Sequence, residues 1–162
     1  PTTAEQKKEG LEKVSWNGRF TVLDTEPLFV VDGAHNPAAA DMLVQSIEHY
    51  FKGKRLIYIM GVFSDKDYQS VIRKTAPLAD QIFTIQTPNN VRALPAQKLA
   101  EAIKEINPHV EAAESVEAAV ENAYGFAEDK DVILAFGSLS FIGIMTEAVE
   151  EEKKKRKEQQ ND

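Results

Sequence analysis

Three loops of this sequence carry polar side chains whose types and spacing suit the binding of a small anion. The first is Asp32-Gly33-Ala34-His35-Asn36-Pro37, which directly follows an apolar run. Asp32 would end a buried strand with its carboxylate toward a ligand, and the glycine after it permits a tight turn. Asn36 is suited to cap the next helix, which would leave His35 over a helix N-terminus, where free amide groups favour an anion. A capped turn with a structural aspartate fits the same residues equally well.

The second loop, residues 61–67, contains serine, lysine and two aspartates after a glycine. Ser64 or Asp65 is predicted to cap the helix that follows, because short side-chain oxygens accept hydrogen bonds from the N–H groups of a first turn. Lys66 would add a mobile positive charge for a phosphate or a carboxylate. A solvated polar loop is the alternative, and the residues alone leave both interpretations open.

The third loop, residues 137–140, reads Gly-Ser-Leu-Ser. Gly137 permits a tight turn and Ser138 offers a hydroxyl, a pair that is typical of a small anion site or of a helix cap. Neither Gly-x-x-x-x-Gly-Lys-Ser/Thr nor Gly-x-Gly-x-x-Gly occurs among the 162 residues. A self-contained nucleotide site is therefore not supported.

Apolar runs that alternate with amphipathic helical patterns must position these loops. Strands are predicted at residues 28–31, 56–60, 81–85, 110–113 and 132–136, with a further antiparallel edge strand at residues 19–23. Helices are predicted at residues 40–51, 68–79, 96–106, 116–127 and 141–149, with Pro95 in a first turn and Ser115 as a cap. Buried strands separated by helices indicate an α/β fold, a Rossmann-like, mostly parallel sheet with helices on both faces. Ligands of such sheets bind beyond the carboxyl ends of the strands, where all three loops fall.

The composition and net charge exclude several classes of protein. No stretch approaches the roughly 20 apolar residues that span a bilayer. The net charge of −7 opposes binding to a nucleic-acid backbone, and only three histidines are present for a metal centre. The absence of cysteine excludes disulfides and a thiol nucleophile. We therefore expect a cytoplasmic protein that binds neither nucleic acid nor membrane.

Four groups of residues, spread in order over residues 16–143, carry a family resemblance. They are Trp16-Asn17-Gly18-Arg19-Phe20 with Val30-Val31-Asp32-Gly33-Ala34-His35-Asn36-Pro37, Gly61 with Asp65-Lys66-Asp67, Arg92-Ala93-Leu94, and Phe136-Gly137-Ser138-Leu139. In this order and spacing they resemble the C-terminal domain of folylpolyglutamate and dihydrofolate synthases. Muramyl-peptide ligases share the Asp-x-Ala-His-like element, but the glycine inside it and the Trp-x-Gly-Arg ahead of it favour the folate branch.

The resemblance implies an ATP-dependent amide ligase. In such an enzyme ATP phosphorylates a carboxylate of dihydropteroate or folate, and the amine of L-glutamate then attacks the acyl phosphate. Arg19 and Asp32 match positions that contact ATP, the latter through ribose hydroxyls or by orienting a neighbour. His35 matches a catalytic position, where it would transfer a proton or stabilise the anionic intermediate. Ser138 and Lys66 are candidates to bind glutamate or phosphate.

The family's phosphate-binding loop, Mg²⁺ ligands and most of its folate pocket belong to a larger N-terminal ATPase domain. We expect that domain to be the partner of this chain, which lacks it. Residues 1–15 would then lead in from it, residues 16–149 would form the ligase domain, and residues 150–162 a charged flexible tail. Because phosphoryl transfer depends on that loop and its metal, the chain alone is expected to turn over no substrate.

Three other interpretations stay open. The domain could come from a muramyl-peptide ligase, or it could be a non-catalytic α/β binding module whose loops only cap helices. A small stand-alone nucleotide binder is disfavoured by the lack of glycine motifs. Whether the parent enzyme makes dihydrofolate, extends a polyglutamate tail or does both depends on a pocket that lies mostly outside this chain.

Overall fold

A six-stranded mixed sheet with helices on both faces forms the body of the protein. The structure is a computed structural model that describes residues 20–160. The strands are β1 (Phe20–Thr25), β2 (Leu28–Asp32), β3 (Leu56–Met60), β4 (Gln81–Thr84), β5 (Val110–Ala112) and β6 (Val132–Phe136). The helices are α1 (Pro37–Tyr50), α2 (Tyr68–Thr75), α3 (Ala96–Lys104), α4 (Val116–Phe126) and α5 (Phe141–Gln160), with a 3-10 turn at Ala76–Leu78 after α2.

The strand order is β1-β2-β6-β3-β4-β5. All neighbouring strands run parallel except β1, which pairs antiparallel with β2 at one edge. The predicted fold class and the antiparallel edge strand are therefore confirmed. Arg19, the first residue predicted for that strand, lies outside the described residues.

The two faces of the sheet carry different helices because the chain reverses direction once. The connections from β2 through β5 step along the sheet in one direction, and their helices α1, α2 and α3 share one apolar cluster. The connection from β5 back to β6 steps the other way, and α4 and α5 share the cluster on the opposite face. Right-handed crossovers produce this division.

The central strands are buried on both faces, and this explains why their sequences are continuously apolar. Every residue of β3 and β6 is buried, with Leu134 and Phe136 in one apolar cluster and Ile133 and Ala135 in the other. Strand β5 covers only three residues, two of them exposed, because it lies at the free edge. Burial on both faces keeps the strand ends, and the loops that follow them, in fixed positions.

Two predicted caps are confirmed. The Asn36 side chain accepts the N–H of Ala39 at 2.8 Å to begin α1, and the Ser115 hydroxyl accepts the N–H of Ala118 at 3.0 Å to begin α4. Each bond satisfies one of the free amide groups of a first helical turn.

Two other predicted helix starts were wrong. Asp67 caps α2 in place of Ser64 or Asp65, because its carboxylate reaches both the N–H and the hydroxyl of Ser70, at 3.2 and 2.8 Å. Pro95 lies at the capping position of α3 and not in its first turn. Its ψ of 141° is extended, so the helix begins one residue later.

Helix α5 continues without a break through Gln160, past the start of the expected tail at residue 150. The Lys153 ammonium lies 3.4 Å from the carbonyl of Leu23, and the Arg156 guanidinium lies 4.9 Å from the ring centre of Tyr124. These contacts hold part of the charged segment against β1 and α4. The three-part division of the chain stays a prediction. Within residues 20–160, no helix combines the length and apolarity that a membrane crossing requires.

Candidate functional site

The three loops singled out in the sequence follow three strands that lie side by side. Strand β6 lies between β2 and β3, and all three are parallel. Their carboxyl ends therefore meet at one edge, where the β2 loop (residues 33–36), the β6 loop (137–140) and the β3 loop (61–67) begin. The helices that follow β2 and β3 pack on one face of the sheet and the helix that follows β6 packs on the other, which leaves a crevice between the strand ends, the usual place for a ligand in an open α/β fold.

Close backbone packing joins the β6 and β3 loops. Gly137 has φ +119°, and a Cβ added to it would overlap the carbonyl oxygen of Gly61 and lie 3.0 Å from its carbonyl carbon. The N–H of Gly61 in turn lies 3.4 Å from the carbonyl oxygen of Phe136. Only glycine at position 137 combines this φ with so close an approach.

Asp32 shapes the β2 loop from within. Its side chain is 1% exposed, and its Oδ1 accepts the N–H of Ala34 at 2.7 Å. This bond closes the turn that leads to His35. Of the two roles expected for Asp32, the burial favours the orientation of a neighbour over direct contact with ribose hydroxyls.

His35 is half-buried in the same loop. Its Nδ1 lies 2.9 Å from the carbonyl oxygen of Gly33. Because a carbonyl oxygen can only accept, Nδ1 must carry the proton, and the neutral ring then keeps its lone pair on Nε2. The next residue, Asn36, caps the 14-residue helix α1. His35 therefore combines a basic nitrogen with a position beside a helix N-terminus, where negative charge is stabilised.

Ser138, a candidate to bind glutamate or phosphate, is buried. Its hydroxyl lies 2.8 Å from the hydroxyl of Ser140 and accepts the Ser140 N–H at 3.2 Å. The carbonyl of Ser138 accepts the N–H of Phe141 at 3.3 Å as α5 begins. Ser140 is the exposed serine of this loop. Binding of glutamate or phosphate by Ser138 stays a prediction.

Lys66 is exposed in the β3 loop and makes no ion pair with any residue from 20 to 160. Its neighbours Asp65 and Asp67 are both engaged elsewhere, the first by Arg92 and the second by Ser70. An unpaired ammonium at this edge is suited to attract a phosphate or a carboxylate.

Two residues of the β4 loop (residues 85–95) were not predicted as part of the site. The Arg92 guanidinium lies 3.2 Å from the Asp65 carboxylate and stacks over Phe63, so it joins the β4 and β3 loops. The signal for Arg92 in the sequence is the motif Arg92-Ala93-Leu94, which carries the family resemblance but does not indicate the ion pair. Thr87 is 3% exposed, and its hydroxyl has no hydrogen-bond partner within the described residues. Nothing in the sequence indicated that hydroxyl.

The remaining sequence predictions for the site concern Arg19 and the metal. Arg19 lies outside the described residues, so its contact with ATP stays a prediction. Between Phe20 and Gln160 no group of three or more acidic or histidine side chains could hold a metal ion. Within these residues a magnesium ion would therefore find no set of three protein ligands already in place.

The chain is similar to known folate enzymes. The family model described as "Mur ligase, glutamate ligase domain" matches residues 18–139. A probable bifunctional folylpolyglutamate synthase/dihydropteroate synthase from Halobacterium salinarum is 33% identical over 131 residues, which cover 80% of this chain and 16% of that protein. The solved structure of Mycobacterium tuberculosis folylpolyglutamate synthase complexed with ADP superposes with a TM-score of 0.69 at 28% identity, covering 75% of this chain and 29% of that one.

A second solved structure contains more ligands. It is a bifunctional folylpolyglutamate synthase/dihydrofolate synthase with Mn, AMPPNP and L-glutamate bound, and it superposes with a TM-score of 0.67 at 30% identity. The match covers 85% of this chain and 32% of that protein. This chain thus spans a third or less of each of these relatives. The chain belongs to the Mur ligase family, as the glutamate ligase domain found at the C-terminus of folylpolyglutamate and dihydrofolate synthases.

Proposed function

We propose that this chain supplies the C-terminal half of the active site of an ADP-forming ligase that joins L-glutamate to a folate or dihydropteroate carboxylate. The observation that carries the proposal is the convergence of the β2, β3 and β6 loops at one edge of the sheet. The bound ADP, AMPPNP, manganese and L-glutamate named for the solved relatives support ATP, a divalent metal and glutamate as its ligands.

His35 is the residue that we assign to catalysis. The amine of glutamate must lose a proton as its nitrogen attacks the acyl phosphate and phosphate leaves. The Nε2 lone pair of the neutral His35 ring can accept that proton, because Nδ1 is held by the Gly33 carbonyl. The protonated ring would instead stabilise the negative charge of the acyl phosphate, and both roles need the same ring orientation.

The other residues bind or position ligands in this proposal. Arg19 contacts ATP through its fork of donors. Asp32 acts through the β2 loop, since its carboxylate is buried and holds the Ala34 N–H. Lys66 contributes a positive charge, and Ser138 positions the β6 loop toward glutamate. The phosphate-binding loop, the metal ligands and the folate pocket are assigned to the N-terminal ATPase domain, and the whole enzyme to the cytoplasm.

The experiment compares two histidines of the full-length enzyme in a steady-state assay of ADP release. His35→Ala is expected to lower kcat about 10²- to 10⁴-fold, the usual contribution of a general acid or base. His49→Ala is the matched control, because His49 is exposed at the far end of α1, where its ring packs edge-on against Tyr50. A kcat for His35→Ala within threefold of the control would remove His35 from catalysis.

A second assay tests the positions proposed for ATP and the division between domains. Arg19→Ala and Asp32→Ala in the full-length enzyme should each weaken ATP use at least tenfold, about 1.4 kcal/mol. The 162-residue chain alone should release no ADP, and activity should return when the N-terminal domain is added in trans. Appreciable turnover by the chain alone would contradict the proposed division of the active site.

A further inference from the structure

Arg92 forms a clasp between the β4 and β3 loops, made with Phe63, Ser64 and Asp65. Its Nη1 lies 3.2 Å from Asp65 Oδ2, and its Cζ lies 4.7 Å from the centre of the Phe63 ring. Its carbonyl oxygen accepts both the N–H of Ser64 at 2.7 Å and the Ser64 hydroxyl at 3.0 Å. The hydrogen bonds to its carbonyl therefore fix the backbone of Arg92, and the Phe63 ring and the Asp65 carboxylate fix the position of its guanidinium.

The backbone on either side of this clasp is also paired. Phe63 and Ala93 form an antiparallel bridge, and the N–H of Leu94 donates to the carbonyl of Val62 at 2.9 Å. The two loops are thus held together by main-chain bonds that do not depend on the Arg92 side chain. Removal of the guanidinium should release Asp65 without separating the loops.

Lys66 lies between two aspartates that would otherwise compete for its charge. Asp65 is held by the clasp, and Asp67 is held by its two bonds to Ser70 at the start of α2. The Lys66 ammonium is left without an ion pair among residues 20–160. An Asp65 carboxylate that Arg92 no longer holds would be free to turn toward the Lys66 ammonium.

We propose that Arg92 is a positioning residue that holds Asp65 away from Lys66 and so keeps the Lys66 ammonium available to an oxyanion of the substrates. The inference rests on the proposed function, in which Lys66 faces the ligand edge. The oxyanion is a carboxylate of glutamate or a phosphate of ATP, and the KM values for the two substrates distinguish these sources.

The expected effect of losing the Arg92 side chain is a small increase in KM. Exposed ion pairs of the kind that Asp65 would form with Lys66 change equilibria by roughly 1.5- to fivefold. In the full-length enzyme, Arg92→Ala should therefore raise the KM of one substrate about two- to fivefold with little change in kcat. Lys66→Ala should raise the same KM by at least as much.

A double variant tests the mechanism. Arg92→Ala with Asp65→Ala should return the raised KM to within about 1.5-fold of wild type, because the competing carboxylate is gone. Lys74→Ala is the matched control, since Lys74 forms an exposed ion pair with Asp41 at 2.8 Å between α1 and α2, and neither residue belongs to the three loops. A double variant as impaired as Arg92→Ala would overturn the proposal, because Arg92 would then act on the ligand directly.

A chemical readout separates this inference from the proposed function. Acetic anhydride labelling of the chain, read by mass spectrometry with exposed Lys98 as the internal reference, reports the availability of Lys66 without any ligase activity. Arg92→Ala should slow the labelling of Lys66 about two- to fivefold, and the double variant should restore it. Unchanged labelling in Arg92→Ala would overturn the positioning role. If Arg92→Ala slows the labelling as expected but Lys66→Ala alters neither KM, the assignment of Lys66 to substrate binding is overturned.

Discussion

Replacement of Gly137 by alanine should destabilise the junction between the β6 and β3 loops. The residue has φ +119°, which alanine adopts only with strain. The new methyl group would also overlap the carbonyl oxygen of Gly61, which belongs to buried backbone and cannot swing aside as a flexible side chain would. Backbone strain and steric overlap would therefore both destabilise the folded state of this variant.

The magnitude follows from these two costs. A non-glycine residue held in a sparsely populated region of φ and ψ costs about 1–3 kcal/mol. An extra methyl group forced into a packed interior costs about 1–3 kcal/mol more, because the neighbours must shift. Gly137→Ala should therefore lower the free energy of unfolding by about 2–6 kcal/mol, a large share of the roughly 5–15 kcal/mol that a domain has.

Urea unfolding followed by circular dichroism measures this change. The matched control is Gly143→Ala, because Gly143 lies inside α5 and a Cβ there would meet nothing within 4 Å. The control should gain about 0.5–1 kcal/mol from the better helix propensity of alanine. If Gly137→Ala lies within 1 kcal/mol of wild type, the two loops do not pack as described and the reasoning is refuted.

Three further predictions concern a cap, a buried hydroxyl and a carboxylate. Asn36→Ala should lower the free energy of unfolding by about 1 kcal/mol in the same urea assay, because the Ala39 N–H loses its acceptor. Thr87→Val should raise the melting temperature, since it removes a buried hydroxyl that has no partner in the described structure, and a lowered melting temperature would reveal a bond to that hydroxyl. The bonds from the Ser70 side chain and backbone lower the pKa of Asp67, so their contribution to stability should be complete at neutral pH and lost as the pH falls through that lowered pKa. Ser70→Ala should move the Asp67 pKa, measured by NMR titration, back toward 3.8, and an unmoved value would contradict this cause.

The sheet and the place of the site could be predicted because both depend on local patterns. Residues 56–60 and 132–136 are continuously apolar, and each run became a strand buried on both faces. Because parallel strands have their carboxyl ends at the same edge of the sheet, the loops that follow these two strands had to lie at that edge. The antiparallel edge strand followed in the same way from its position before the first crossover.

The contacts within the site could not be predicted, because they depend on residues that are distant in sequence. Arg92 and Asp65 are 27 positions apart, and no pattern in either loop indicates the ion pair between them. The burial of Ser138 depends on the helix and loops that surround it, and its position after a strand does not indicate it. Three oxygen-bearing residues, Ser64, Asp65 and Asp67, precede α2, and only the fold shows which of them reaches the first turn.

The two edges of the sheet are poor templates for another strand. In the described part of the chain, β5 offers only three residues, and β1 has an irregular register between Val22 and Asp24. Short or irregular edge strands hinder the edge-to-edge pairing through which sheets aggregate. Concentrated solutions of this domain should therefore form β-type aggregates only after the sheet has opened, so the rate of their growth should follow the population of unfolded chains.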